Sequence, residues 1–350
     1  MELSGFRHQV GGHFGLLLCA GHVAKPLNAR EMAFYMSMED KIRQFVPHFC
    51  GRVEVTATVD SATGQLTLTT EAPIECHKRK LTSKHENALL RFKLGENGRV
   101  VVDSDKSWNL FAAQCQSKVV SKLLDGSPHL FMLFENIVAQ YARPCVLDLK
   151  IGTRQHGDDA SESKRHRQLM KCKQSTSSTL GVRMVGMQIY ETATKTYSYV
   201  EKQEGRRIDI ECFRAYVQRF VKTCGRARAS RLRQKLRLLR SILAETDGYR
   251  FFSSSILIAF DAEAADSSAD DAVRVHLIDF ANSTFNGFLS DLPYTGMDEG
   301  CLLGIDSILE AMEPQPHEHT LQQQKSNDKE KEKSPKQNNN NDTAQLQTTS

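Results

Sequence analysis

The sequence of 350 residues has no apolar run as long as the roughly 18–20 residues that a membrane-spanning helix needs. It does not begin with a basic stretch followed by an apolar segment, so no secretory signal is expected. Its nine cysteines are scattered and none forms a CxxC pair, which argues against a disulfide framework or a Cys-based metal site. These absences favour reduced thiols in a cytoplasmic or nuclear protein.

Acidic and basic residues nearly balance, giving a formal net charge of +4 that does not by itself indicate a nucleic-acid partner. The sequence contains 40% hydrophobic and 25% charged residues, which is typical of a globular protein with a sizeable core. We expect residues 1–140 to form a strand-rich amino-terminal lobe that ends in a connector. Residues 141–312 should form a larger lobe of strands and helices, and the polar residues 313–350 a disordered tail.

In the first lobe, alternating apolar residues predict strands at residues 15–20, 23–27, 53–59, 65–70 and 129–134. Residues 29–45 are predicted to form one helix, with Asn28 as its cap and Glu31 three residues later, as in a capping box. The polar stretch 76–120 shows little periodicity and is predicted to be a loop with short elements.

In the second lobe, the patterns predict strands at residues 145–150, 181–190, 255–260 and 273–280. Helices are predicted at residues 158–172, 210–224, 230–245 and 302–312.

Three features point to phosphate chemistry, although each one alone has an ordinary alternative. Asp148 and Lys150 lie on one face of a strand, where they could do acid–base work, hold phosphate or form a simple ion pair. Asp279 ends an apolar strand, where it could hold Mg²⁺ or cap the strand. Lys25 precedes Glu31 by six residues, an arrangement that kinases use to hold nucleotide phosphates but that surface ion pairs also show.

Residues 144–152 read Pro-Cys-Val-Leu-Asp-Leu-Lys-Ile-Gly, which resembles the PxxxDxKxG signature of the inositol polyphosphate kinases. Residues 278–281 are similar to the metal-site strand of that family, and the resemblance extends from about residue 6 to residue 312. Further segments are similar to its inositol hexakisphosphate kinase branch, namely residues 8–13, 153–161, 181–183 and 186–188. The resemblance implies an α+β fold of two lobes related to protein kinases, with an antiparallel sheet in the first and a mixed second lobe.

The resemblance also implies an activity. It points to an ATP- and Mg²⁺-dependent phosphotransferase that phosphorylates inositol hexakisphosphate, expected at the 5-position, to give a diphosphoinositol pentakisphosphate. The alternatives are a multikinase acting on hydroxyls of lower inositol phosphates, and a protein that binds inositol phosphates without transfer. A monomer without membrane or nucleic-acid partners is expected.

The resemblance assigns roles to particular residues. Asp148 and Lys150 are the implied catalytic pair, and Asp279 is the implied metal ligand. ATP binding is implied for Gly11, Gly12, His13, Lys25, Glu31, Glu135, Asn136, Asp148 and Asp279. Substrate binding is implied for Pro144, Lys150, Gly152, Arg154, His156, Lys164, Arg167, Lys171 and Asn282. Asn282 departs from the family, whose members commonly carry His there.

Two basic runs stand out. Residues 150–173 contain seven cations, and Lys164, Arg167 and Lys171 share one face of the predicted helix, which favours polyphosphate binding over a solvated face. Residues 226–240 contain seven cations and no acid, opposite a leucine face. A solvated helix face is the expected role of this second run, with a nuclear import signal or an acidic-surface contact as alternatives.

Overall fold

Two antiparallel sheets organise the protein, whose computed structural model describes residues 1–12, 14–71, 90–103 and 109–314. The first sheet has eight strands, β1 (Glu2–Gly5), β2 (Leu17–Cys19), β3 (His22–Pro26), β4 (Phe49–Val59), β5 (Gln65–Thr69), β6 (Arg91–Leu94), β7 (Val100–Asp103) and β8 (His129–Glu135). Strand β8 lies between β3 and β4, and Lys25 of β3 faces Met132 of β8 in the register. The helices of this part of the chain are α1 (Ala29–Ser37), α2 (Asp40–Arg43) and α3 (Leu110–Lys122).

The second sheet has five strands. They are β9 (Pro144–Ile151), β10 (Val182–Glu191), β11 (Thr196–Val200), β12 (Ser255–Asp261) and β13 (Arg274–Ile278), in the order β11-β10-β9-β12-β13. The helices around it are α4 (Glu162–Lys173), α5 (Ser177–Leu180), α6 (Lys202–Arg207), α7 (Ile210–Cys224), α8 (Arg226–Ala244) and α9 (Glu299–Ala311). Every residue of the central strand β9 is buried, so its two charged side chains are held in a low-dielectric environment.

Helix α1 follows a strand of the first sheet, but its apolar face belongs to the core of the second. Phe34 is fully buried and stacks on Phe280, with ring centroids 4.9 Å apart. Tyr35 packs edge-on against the same Phe280 ring at 5.0 Å. Since Glu31 lies one turn before these rings, their packing fixes the side of the helix that carries its carboxylate.

The strands predicted from periodicity are confirmed, with boundary shifts of a few residues. The helix predicted at residues 29–45 ends at Ser37, because Met38 turns to extended backbone and is buried, and a separate short helix follows at Asp40–Arg43. In the stretch 76–120, predicted as a loop with short elements, residues 91–94 and 100–103 form the short strands β6 and β7. The prediction was wrong for residues 110–120, which belong to the 13-residue helix α3, and residues 76–89 and 104–108 lie outside the described residues. The buried stripe of α3 includes the polar Gln116, which donates to the Phe6 carbonyl and which weakens the apolar periodicity.

Residues 1–312 form one compact unit. The lobe boundary near residue 140 stays a prediction, as does the disordered tail, whose residues 315–350 lie outside the described part of the chain. Among the described helices, none is both long and apolar enough to cross a membrane.

Candidate active site

Lys25, Glu31 and Asp279 meet where the first sheet, helix α1 and the end of β13 come together. The Lys25 Nζ atom lies 2.8 Å from Glu31 Oε1 and 2.6 Å from Asp279 Oδ1. Burial opposes the charge on Lys25, but Asp279 and then Glu31 outweigh it, so the pKa of Lys25 is raised. The lysine is therefore held as a cation, and the predicted pairing with Glu31 is present.

The backbone at Asp279 is unusual, because its φ of 66° places a non-glycine residue in the left-handed region. The next residue, Phe280, donates its backbone N–H to Glu31 Oε1 at 3.1 Å and buries its ring completely. These two contacts hold the turn and direct the Asp279 side chain toward Lys25. Strained backbone of this kind is often found at functional sites.

Asp148 and Lys150 project from the central strand β9 and are both buried. Burial and the nearby charge of Asp279 raise the pKa of Asp148 to about 6. Burial lowers the pKa of Lys150, with Asp279 and Asp148 acting against that shift. Lys150 Nζ donates to the Ser253 carbonyl at 2.5 Å, whereas the buried Asp148 Oδ1 has no hydrogen-bond partner among the described residues. A buried carboxylate oxygen in this state is poised to receive a donor or a cation.

The glycine pair that follows β1 lies directly over Asp148. A Cβ atom on Gly11 would be only 2.0 Å from Asp148 Oδ2, so this position requires glycine. A Cβ atom on Gly186 of β10 would likewise be 1.8 Å from the Val10 carbonyl oxygen. The Gly12 carbonyl accepts a hydrogen bond from Lys202 Nζ at 2.8 Å. The glycines predicted to bind ATP are thus close to the predicted catalytic pair, although His13 lies outside the described residues.

A narrow apolar cavity of about 110 Å³ lies between the two sheets. Four of the predicted ATP-binding residues line it, namely Lys25, Glu31, Glu135 and Asn136. Its apolar walls come from Leu16, Val23, Phe134, Val146, Leu257 and Ile278, among others. An apolar cavity beside a lysine suits the base of a nucleotide whose phosphates point toward Lys25. We refer to this space as the nucleotide cavity.

Sequence reasoning missed three cations that accompany Lys150, namely Arg183, Lys202 and Arg206. Arg183 is directly opposite Lys150 in the β9–β10 register and is buried, and its Nε and Nη1 atoms have no partner among the described residues. Burial and then Arg206 lower the pKa of Arg183, while burial and then Lys150 lower the pKa of Lys202 to about 8. The available signals were an arginine inside an otherwise apolar strand and the four-residue spacing of Lys202 and Arg206 on α6. We call the region that contains Asp148, Lys150 and the apolar cavity the cleft, and we refer to Lys150, Arg183, Lys202 and Arg206 as the cleft cations.

Helix α4 extends this positive region toward solvent. Burial and then the charges of Arg206, Arg183 and Arg167 lower the pKa of Lys171. Burial and then Arg154 lower the pKa of His156, to which Arg165 and Lys164 also contribute. The structure thus brings the predicted residues of this helix to the edge of the cleft, with Cys172 as its only buried side chain.

Other predicted substrate residues have different surroundings. Arg154 is already engaged, since its guanidinium lies 4.0 Å above the Phe252 ring and bonds to Tyr294 and Asp158. Gly152 donates to the Gly181 carbonyl. Pro144 is at the opposite end of β9 from Lys150, six residues away or roughly 20 Å, so its position does not favour the predicted substrate contact.

Asn282, where the family commonly has His, lies beside the loop that follows β9. A Cβ atom on Gly157 would be 3.5 Å from the Asn282 Cβ and carbonyl oxygen. His156, next to Gly157, is buried, and its Nδ1 atom has no hydrogen-bond partner among the described residues. Asn282 and His156, both predicted to bind substrate, therefore lie at the same loop.

The acids of the cleft fit a metal that is held mainly by phosphates. Among the described residues there is no group of three or more His, Cys, Asp or Glu side chains that could enclose a metal ion by themselves. Asp279 and the unpartnered Asp148 Oδ1 offer oxygen ligands only. Mg²⁺ is commonly bound by one or two carboxylates plus substrate phosphates and water, which matches this donor set.

A family model described as inositol polyphosphate kinase matches residues 131–313. Human inositol hexakisphosphate kinase 3 is 32% identical over 390 aligned positions, which cover 89% of this chain and 95% of that protein. The chain belongs to the inositol polyphosphate kinase family. Mouse inositol hexakisphosphate kinase 1 is 31% identical, covering 91% of this chain and 94% of that protein.

The solved structure of inositol phosphate multikinase Ipk2 from S. cerevisiae, in complex with ADP and Mn²⁺, supports the fold. It matches with a TM-score of 0.53 and 18% identity, covering 83% of this chain and 97% of that chain. The predicted family, the α+β kinase-like fold class and the predicted phosphotransferase activity are thereby confirmed. The roles of individual residues in this inositol polyphosphate kinase stay predictions.

Proposed function

We propose that this kinase transfers the γ-phosphoryl group of ATP to a phosphate of inositol hexakisphosphate, forming diphosphoinositol pentakisphosphate. The observation that carries the proposal is the buried Arg183, which has no carboxylate partner among the described residues and lies directly beside Lys150. A buried, unpaired cation is costly to the fold, so a ligand of high negative charge is the expected partner.

Hexakisphosphate has the charge that such a cleft requires. Each of its six phosphates carries roughly −1.5 to −2 charge near neutral pH. The cleft cations and the exposed cations of α4 provide neutralisation over a surface that is much larger than one phosphate. The two curated relatives named above are both hexakisphosphate kinases, which supports the same substrate.

The cleft residues divide the work of phosphoryl transfer. Lys25 would release Asp279 and bind ATP phosphates instead, and Asp279 would then bind Mg²⁺. Lys150 and Arg183 would hold the acceptor phosphate in line with the γ-phosphorus, while the Gly11–Gly12 backbone covers the nucleotide. Because the acceptor phosphate is already largely ionised, positioning and charge neutralisation matter more here than a strong base.

A second candidate is a multikinase that phosphorylates hydroxyls of lower inositol phosphates. One observation favours it, since burial raises the pKa of Asp148 to about 6, close to the value that suits a general base at neutral pH. A hydroxyl acceptor requires proton removal, whereas a phosphate acceptor largely does not. A third reading, binding without transfer, would leave Asp148 and Asp279 without a catalytic role.

Product analysis distinguishes the three. The protein is incubated with ATP, Mg²⁺ and one acceptor at a time, which is inositol hexakis-, tetrakis- or trisphosphate. Each product is then separated, and its new phosphate is located by ³¹P NMR. We expect hexakisphosphate to be consumed, with the diphosphate at position 5. Consumption of trisphosphate but not hexakisphosphate would instead establish the multikinase, and consumption of none would leave a binding protein. The matched control is Asp279→Asn, which removes the proposed metal ligand and should nearly abolish every product.

We also propose that the protein is a monomer of the cytoplasm or nucleus. Eight described cysteines are free thiols, which is compatible with a reducing compartment. Light scattering of the purified protein tests the monomer, and imaging of a fluorescent fusion tests the compartment.

A further inference from the structure

A second cavity, of about 390 Å³, lies outside the cleft between helix α8 and strand β13. Arg231, Lys235 and Leu238 form its wall on α8, and Arg274 and His276 form its floor on β13. It shares no lining residue with the nucleotide cavity. Neither the family signature nor the proposed reaction assigns a role to it.

Three buried nitrogen atoms around this cavity have no hydrogen-bond partner among the described residues. They are Arg231 Nε, Arg274 Nε and His276 Nδ1. Both arginine atoms are donors that a ligand could use. Burial lowers the pKa of His276 to about 4, so its ring is neutral, and its single N–H serves the backbone of Val46. His276 is only 8% exposed, which makes an unpaired ring nitrogen there energetically unfavourable.

The charges of the lining also favour an anion. Arg231, Lys235 and Arg274 supply three cations, against the carboxylates of Asp270 and Asp271. Asp270 contacts two of the three, with its Oδ1 atom 2.5 Å from Arg231 Nη2 and 3.3 Å from Lys235 Nζ. Its side chain is 76% exposed, so it can turn toward solvent when another anion takes its place.

We propose that this cavity binds a small molecule carrying one phosphate monoester group, which accepts hydrogen bonds from Arg231 and Arg274. Leu238, Val275 and Phe45 offer an apolar surface for the body of such a molecule. Three cations suit one or two phosphates better than the six of the proposed substrate.

The same cavity is connected to the nucleotide cavity through shared elements. Arg274 Nη1 is 3.3 Å from Glu135 Oε1, and Glu135 lines the nucleotide cavity. Phe45 and His276 line the new cavity, whereas Pro47 and Ile278, two residues further along each segment, line the nucleotide cavity. A phosphate that draws the Arg274 guanidinium toward itself would weaken its hold on Glu135, so we expect occupancy to raise the KM for ATP.

Hydrogen exchange with inorganic phosphate as the probe tests the site directly. The cleft is first saturated with ADP, Mg²⁺ and hexakisphosphate, and phosphate is then titrated at constant ionic strength. We expect added protection in peptides covering residues 231–238 and 270–276. Lys235→Gln should raise the Kd for phosphate at least tenfold. Leu238→Trp should do the same by filling the cavity from an exposed position without removing a charge. Arg237→Gln, on the same helix but outside the lining, is the matched control and should change the Kd less than twofold.

The coupling has its own measurement. Saturating phosphate should raise the KM for ATP at least threefold more in the wild-type enzyme than in Leu238→Trp, whose cavity is filled. Any competition between phosphate and ATP inside the cleft is common to both proteins and does not contribute to this difference. Absence of protection at residues 231–238 and 270–276, or equal phosphate affinity in wild type and Leu238→Trp, would overturn the proposed site. Because the protection measurement does not depend on turnover, it gives its answer even if the proposed substrate is wrong.

Discussion

Two groups of cations in this kinase have similar composition but opposite surroundings. On helix α8, Arg228 pairs with Asp266, Arg231 and Lys235 pair with Asp270, and Arg240 pairs with Asp306. In the cleft, by contrast, Arg183 and Arg206 have no ion pair with any described residue. Burial lowers the pKa of Arg183, and the nearby charge of Arg206 lowers it further. The α8 cations are thus paired with carboxylates of the protein, whereas Arg183 and Arg206 retain their charge for the proposed substrate.

The comparison shows why a local count of charge is a poor guide to binding. The seven cations of residues 226–240 have no acid among them in sequence, yet their partners come from the β12–β13 connection and from α9. The predicted solvated helix face is therefore largely an ion-paired face. The acidic-surface contact and the nuclear import signal stay predictions. Arg226 and Arg237 would be the cations available for them, because neither forms an ion pair with a described residue.

The largest expected effect comes from the acid of the cleft. Asp279→Asn should lower kcat about a thousandfold, because a catalytic metal contributes several kcal/mol and each ~1.4 kcal/mol is a factor of ten. The affinity for hexakisphosphate should change only a few-fold, since the cleft cations remain. Asn tolerates the left-handed backbone at this position, so the fold should persist. Steady-state kinetics and equilibrium binding of hexakisphosphate measure the two effects.

The matched control is Asp306→Asn on α9, which removes an acid that is paired with Arg240 away from the cleft. Its kcat should stay within about twofold of wild type. If Asp279→Asn turns over nearly as fast as this control, Asp279 is not the metal ligand.

The next effect distinguishes the two cation groups. Arg183→Met should raise the KM for hexakisphosphate about tenfold to a hundredfold, as expected for a lost charged hydrogen bond, with little change in the KM for ATP. It should also stabilise the ligand-free protein by about 1–3 kcal/mol, because the substitution removes a buried polar group without a partner. Urea denaturation and kinetics on one preparation test both parts.

Arg240→Met is the counterpart on α8. This replacement breaks the exposed pair with Asp306, so we expect unchanged kinetics and a slightly lower stability. A less stable Arg183→Met protein with equal increases in both KM values would indicate that Arg183 supports the fold and not the substrate.

The sequence predicted what depends on neighbours along the chain. Strand β9, the capping of α1 by Asn28 and the pairing of Lys25 with Glu31 follow from periodicity and short spacings. It could not predict that α1 would pack on the second sheet, because that depends on Phe34 meeting Phe280, far away in the chain. Arg183 was missed for the same reason, since its meaning comes from the register that places it opposite Lys150.

Helix α4 should give a smaller effect than Arg183, because its cations are more exposed. The triple variant Lys164→Gln, Arg167→Gln and Lys171→Gln should raise the KM for hexakisphosphate about threefold to tenfold and the KM for ATP little. The difference should shrink at high salt, because exposed charges are screened over roughly 8 Å at physiological ionic strength. The control is Arg226→Gln with Arg237→Gln on α8. Equal KM changes in the two variants would show that any surface cation has this effect.

A modest effect is expected in the pH dependence of stability. Asp148 has a pKa raised from 3.8 to about 6 by burial, so the folded state binds the proton more tightly and this group makes stability fall as pH rises between about 4 and 6. His8 and His276, whose pKa values burial lowers to about 4, act in the opposite direction. The stability gained by Asp148→Asn should therefore increase from about pH 4 to pH 6 and then level off. A difference that is independent of pH would contradict a raised pKa for Asp148.

The smallest effect is expected from the tail. Deleting residues 313–350 should leave kcat, KM and Tm nearly unchanged, because this segment has few apolar side chains to bury and its Lys and Glu residues nearly balance. The competing idea is that the tail folds back onto α8 and inhibits the enzyme. The pairing of that helix argues against it, since Arg228, Arg231 and Arg240 already contact Asp266, Asp270 and Asp306. Kinetics and thermal unfolding of the truncated protein decide the matter. A kcat several-fold above that of the full chain would mean that the tail competes successfully with those internal acids and inhibits the enzyme through helix α8.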